Sequence, residues 1–141
     1  MKEFRQPRGG APVGHLDELD AHRARAVRLY RLACDGERAK LESEFAASLP
    51  PDEVAATMDR LGRLMRALTA GASRPLVFHG EECGCVGAHE NAFAELLASA
   101  AAGREDDALL FAAALAPAAR AEAAARLAAP VGLALRAASR P

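Results

Sequence analysis

Tryptophan is absent, and aromatic residues make up only 4% of the 141, as one Tyr and five Phe. A core for this chain must therefore come from Leu, Ala, Val, Met and those few Phe. Lysine is scarce: two Lys stand against 16 Arg. Arginine is the better fork for carboxylate or phosphate, but an Ala- and Arg-heavy chain reflects GC-rich coding before it reflects a partner. Charge of one sign is not in excess, with a net charge of −1 and a pI near 6.4. The chain as a whole lacks the basic footprint of a nucleic-acid binder.

Long apolar runs are also missing. A membrane helix needs about 18 or more consecutive apolar residues, and Arg104, Arg120, Arg126 and Arg136 interrupt the alanine-rich half. Residues 1–14 are polar, with Arg5, Arg8 and several Gly and Pro, so they do not form the apolar centre of a signal peptide. Cysteine is sparse and odd in number, at three, whereas a secreted scaffold pairs its cysteines. These absences predict a soluble cytoplasmic protein in a reducing compartment where free thiols survive. No Gly-rich phosphate loop, no G-x-S-x-G and no H-E-x-x-H occurs. An enzyme is the reading with the least support.

What is present is helical pattern. The sequence predicts a disordered arm over 1–13 and a single helical domain over 14–139, all-α, built as a small bundle of five or six helices. Leu16, Leu19, Arg23, Ala26, Tyr30 and Ala33 recur in steps of three and four, which puts them on one face of a first helix starting between Val13 and Leu16. Asp35-Gly36 ends it. A second helix is expected over Glu37–Ser48, with Leu41, Phe45 and Leu49 inward. Pro50-Pro51-Asp52-Glu53 reads as a helix start, and the third helix carries Val54, Met58, Leu61, Met65 and Leu68 as far as Gly71.

After a break, Phe93, Leu96, Leu97 and Ala100 mark a helix that Gly103 ends. Glu105-Asp106-Asp107 opens the next, with Leu109, Leu110, Phe111 and Leu115. Pro117 opens the last, and Pro130 should kink or split it near Ala129. Residues 88–141 hold 23 alanines, a composition that favours helix and lets helices approach closely. Leu16, Leu19, Leu41, Phe45, Leu61, Leu68, Phe93, Leu96, Leu110 and Leu115 are the expected core. A stripe through Leu127, Val131 and Leu135 is expected to need covering by a partner protein or a second copy of the chain.

Between the helical blocks 15–71 and 87–139 lies the chemistry. The segment His79-Gly-Glu-Glu-Cys83-Gly-Cys85-Val-Gly-Ala-His89 holds two of the four histidines and two of the three cysteines. Leu76-Val77-Phe78 just before it is short, apolar and suited to extended backbone. Two thiolates and two imidazoles suit zinc or another thiophilic ion. His79, Cys83, Cys85 and His89 are therefore the predicted metal ligands, with Glu81, Glu82 or Glu90 able to replace a histidine and Cys34 able to arrive from the first helix. The glycines at 80, 84 and 87 loosen the backbone for that purpose.

Against a metal stands the spacing. Structural zinc sites use cysteines two to four residues apart with a second, distant knuckle, and here one residue separates the cysteines and no second pair exists. The same residues serve a thiol switch. A cysteine just before a helix is more readily ionised, and a Cys-x-Cys disulfide closes a small ring that is easily reduced. The bland alternative is an incidental loop on a helical interaction module. Arg25, Arg28 and Arg31 recur every three residues, and residues 1–33 carry seven basic against four acidic side chains. The ordinary meaning of such a stripe is a solvated face with pairs such as Asp20 and Arg23. His22 is expected to be a partly exposed histidine on the same helix, and His15 to lie near the helix start.

Overall fold

The computed structural model describes residues 11–138. Among them, β1 spans Pro12–His15 and a single 3-10 turn spans Leu16–Glu18. The helices are α1 (Ala21–Cys34), α2 (Arg38–Ala46), α3 (Pro51–Thr69), α4 (Ala88–Ala101), α5 (Glu105–Leu115) and α6 (Ala121–Ala138). A three-residue strand β2, Cys85–Gly87, leads directly into α4. The described residues form an all-α bundle of six helices, as the periodicity predicts, and carry one small ribbon that it does not predict. The arm expected over 1–13 gives way to β1 from Pro12 onward, and residues 1–10 and 139–141 lie outside the described residues. No described helix is long and apolar enough to cross a membrane.

The first helix begins later than the apolar spacing suggests. Asp20, not a residue near Val13, caps it: the carboxylate accepts from the Arg23 amide at 2.8 Å. That bond satisfies one of the amide donors a helix start leaves free. The segment before it is extended because it pairs antiparallel with β2, placing His15 opposite Cys85 and Gly14 opposite Val86, with an irregularity between Pro12 and Gly14. At the ends of α1 and α4, Gly36 (φ 71°) and Gly103 (φ 75°) supply left-handed backbone, and the amides that follow reach back to Leu32 O and Ser99 O at 2.9 Å, closing both helices without a side-chain penalty.

Helix α4 is the hub, packing against α1, α5 and α6, while α3 packs against α2 and α6. Phe93, Leu96 and Leu97 on α4 are fully buried among Leu29, Tyr30, Leu61, Leu64 and Leu68. The Tyr30 and Phe93 rings lie 5.0 Å apart in a tilted pair, a favourable arrangement of ring edge and face. Of the expected core, Leu41, Phe45, Leu61, Leu68, Phe93, Leu96 and Leu115 are buried, and Leu16 and Leu19 pack on its margin.

Three expectations are corrected. Leu110 is 68% exposed, because α5 turns Ala108, Ala112 and Leu115 inward, which leaves positions 109 and 110 facing out. The stripe on α6 is inside the monomer: Val131 and Leu135 are buried and Leu127 is half-buried. The surface on which the homodimer expectation rested is therefore covered by α3 and α4. Of the two outcomes expected at Pro130, a kink or a split, the split does not occur, since α6 runs on through it. Buried Ala124, Ala128, Val131 and Leu135 hold both sides of the proline against the bundle, so packing outweighs the missing backbone bond. His22, on α1, adds a tie: its Nε2–H donates to Gly132 O at 3.1 Å.

Candidate functional site

The cysteine–histidine segment is built around one buried carboxylate. Glu90 is the third residue of α4, so its side chain curls back over the helix start and accepts from the Gly87 amide at 2.9 Å. This is half of a capping box. The same carboxylate, fully excluded from solvent, accepts four further bonds. Oε2 takes the Arg31 Nε–H at 2.6 Å and the His79 amide at 2.9 Å. Oε1 takes Arg31 Nη2 at 3.1 Å and His79 Nδ1 at 2.8 Å. Burial alone would push the Glu90 carboxyl up. The Arg31 guanidinium, the two amides and the His79 ring outweigh it and hold the group below its usual range.

Arg31 is only 2% exposed. It is the third member of the basic stripe, yet it sits four residues beyond buried Val27 and so falls on the inward face of α1. Its fork grips Glu90, and its remaining N–H groups donate to backbone carbonyls, Nη1 to Cys83 O at 2.6 Å and Nη2 to Cys85 O. One side chain thus fixes the carbonyls of both loop cysteines. The other arginines of the stripe are also engaged. Arg28 pairs with Glu44 (2.6 Å) and Glu81 (3.2 Å), and Arg25 reaches Ser48 Oγ at 3.1 Å. Lys40 binds Glu81 from the other side at 2.9 Å. The cations exposed there are thus paired or hydrogen-bonded, and the expected pair of Arg23 with Asp20 is present at 2.6 Å.

The four predicted ligands are distributed as follows. His79 is buried, and its Nδ1–H donates to Glu90. Its Nε2 is buried with no hydrogen-bond partner among the described residues. His89 accepts the Val77 amide on Nδ1 at 2.9 Å, and burial pulls its pKa down, so the ring stays neutral. Cys83 and Cys85 are half-buried free thiols one residue apart. The neighbouring Cys83 thiol, before any other cause, holds the Cys85 thiol above its ordinary pKa. Among the described residues, no three His, Cys, Asp or Glu side chains are gathered around a point that could hold one ion. The structure brings the two sulfurs together and does not bring the two imidazoles to them.

Cys34 stands apart. Burial pushes its pKa to about 12, against the pull of a hydrogen bond with the Tyr30 hydroxyl, so it is an inert core thiol. Leu76-Val77-Phe78 does not join the ribbon, whose second strand is 85–87. Instead Val77 O accepts from the buried Tyr30 hydroxyl at 3.0 Å. A groove of about 450 Å³ lined by Asp106, Leu109, Glu122 and Arg126, among others, shares no residue with this segment. Sequence reasoning reached Glu90 only as a spare ligand and read Arg31 as a surface charge. The available signals were a lone cation inside the apolar run Leu29–Ala33, and a glutamate three residues after a glycine at a helix start.

No family model, no curated protein and no solved structure matches the chain.

Proposed function

We propose that the chain is a small cytoplasmic accessory or regulatory protein whose working group is the Cys83–Cys85 thiol pair, cycled between dithiol and disulfide. The observation that carries this reading is the pairing itself. Two free, half-buried, solvent-reachable thiols stand one residue apart, on a loop whose carbonyls are anchored by Arg31. With a low-molecular-weight disulfide as oxidant, the Cys83 thiolate attacks one of its sulfurs and expels a thiolate. The Cys85 thiolate then displaces the second thiol from Cys83. Two electrons and two protons leave the protein, and one S–S bond forms. Cys34 takes no part because its proton is held far above neutral pH.

Mapping of alkylated peptides after treatment with glutathione disulfide tests this. The peptide carrying both loop cysteines should lose its two reactive thiols and regain them with reductant, while Cys34 stays reduced. Oxidation that yields only intermolecular dimers through Cys34 would end the proposal.

A second reading keeps His79, Cys83, Cys85 and His89 as ligands of one thiophilic ion, zinc foremost. It is favoured by His79, whose free Nε2 is buried and whose Nδ1 is oriented by a carboxylate. Metal-bound imidazoles are commonly held in this way. The loop would have to carry both sulfurs and the His89 ring to that nitrogen. Titration of reduced, chelator-free protein with Co²⁺ reads the outcome. About one equivalent should bind with thiolate charge-transfer absorption, Cys83→Ser should abolish that absorption, and chelation should lower the melting temperature. The absence of such absorption at stoichiometric cobalt would remove the metal from consideration.

A further inference from the structure

Resting on the dithiol reading, we propose that closing the Cys83–Cys85 disulfide detaches the N-terminal segment 12–19 from the bundle, making the loop a redox-controlled clasp for that segment. The clasp is the Gly84 carbonyl. It lies between the two cysteines and accepts the Leu16 amide at 2.8 Å, and immediately beyond it His15 pairs with Cys85. Disulfide formation draws the two sulfurs into bonding distance and the two Cβ atoms toward each other, closing a small ring that contains both peptide units flanking Gly84. The chain bends most easily at Gly84, which carries no side chain and has open space beside it, since a Cβ built there would meet nothing within 4 Å.

Three carbonyls in this stretch have partners, and they do not yield equally. Those of Cys83 and Cys85 are held by Arg31, which is itself buried and locked to Glu90. Bonds from a charged donor are roughly twice as strong as neutral ones, and losing them would strand a guanidinium out of water. The Gly84 bond joins two neutral backbone groups, one of them at an exposed glycine. Bending therefore turns the Gly84 carbonyl away from Leu16 first. What else holds the segment is the short ribbon pairing with β2, some contact with α4 and the packing of Leu16 and Leu19 on the core margin. That hold is shallow: Pro12, Val13 and His15 are exposed, and Leu16 and Leu19 are only half-buried. Glu81, bridged to Lys40 and Arg28, keeps the other side of the loop on α1 and α2, so the movement is directed to the N-terminal side.

Hydrogen exchange on the full chain, reduced and after oxidation, tests the clasp while mass analysis of the same samples counts the loop disulfide. The expected result is a tenfold or greater loss of protection at the Leu16 amide in the oxidised protein, with α3 and α4 unchanged. A chain carrying Cys83→Ser and Cys85→Ser should show no response to the oxidant. A complete loop disulfide with unchanged Leu16 exchange overturns the clasp and leaves the dithiol reading standing. Loss of protection throughout the bundle overturns it as well. Failure to form the disulfide removes both.

Discussion

Glu90→Gln should lower the unfolding free energy by about 3–5 kcal/mol, the usual cost of leaving one partner of a buried ion pair uncompensated. The carboxylate accepts five hydrogen bonds in a site closed to solvent. A glutamine keeps one acceptor oxygen, turns an NH₂ toward donors, and strands Arg31 at 2% exposure. Guanidinium denaturation followed by circular dichroism measures the loss. A change below about 1 kcal/mol would mean that water reaches the pair and that it behaves as a surface salt bridge.

The same carboxylate sets the acid limb of stability. Its folded pKa lies below the ordinary 4.5. A depressed acid contributes stability that is complete above the unfolded pKa and is lost as pH falls through the folded value. The wild-type denaturation midpoint should therefore drop on acidification below about pH 4, and the drop should be smaller in Glu90→Gln, which has no proton to take up at that position.

Gly132→Ala should destabilise by about 2–3 kcal/mol, in the upper part of the range for overpacking. It should do so although alanine is the better helix former by about 1 kcal/mol. A Cβ at Gly132 would lie 2.3 Å from Leu97 O and 3.1 Å from Ala101 Cβ. The nearer atom belongs to the backbone of α4 and cannot rotate away. Either α6 shifts out, loosening Val131 and Leu135 in the core, or α4 moves and disturbs Phe93. Thermal unfolding of the variant provides the check. A rise in melting temperature would show that the two helices slide apart freely and that the contact is not a constraint.

Much of the bundle was legible in the sequence because helical pattern is local. The bounds of α3 follow from Pro51, Asp52 and the three-and-four spacing through Leu68, all within one window. The ribbon was not legible. Pro12–His15 is extended only because Cys85–Gly87 lies beside it, and no window of the chain contains both strands. The α6 stripe shows the limit of periodicity in another way: it marks Val131 and Leu135 for burial without saying whether the cover comes from the same chain. At the candidate site the residue types were visible and their relations were not. Four metal-type side chains in one short segment suggested a common centre. The anchor is instead Glu90 with Arg31, a cation 59 residues away, and it holds His79 and the two cysteine carbonyls in separate places.

The alanines of the second half also fix how this protein can vary. Ala94, Ala112, Ala124 and Ala128 are wholly enclosed, and where α6 crosses α4 the backbones are close enough to exclude a methyl group at Gly132. Truncating such residues removes almost nothing, whereas enlarging any of them forces helices apart. The Leu- and Phe-lined side around α1 and α3 has the opposite vulnerability, since each large side chain lost leaves a void. The two halves of one core thus face opposite constraints on inherited change. One is closed to growth and the other to loss, so substitutions should accumulate most freely along outward-facing positions such as Leu110.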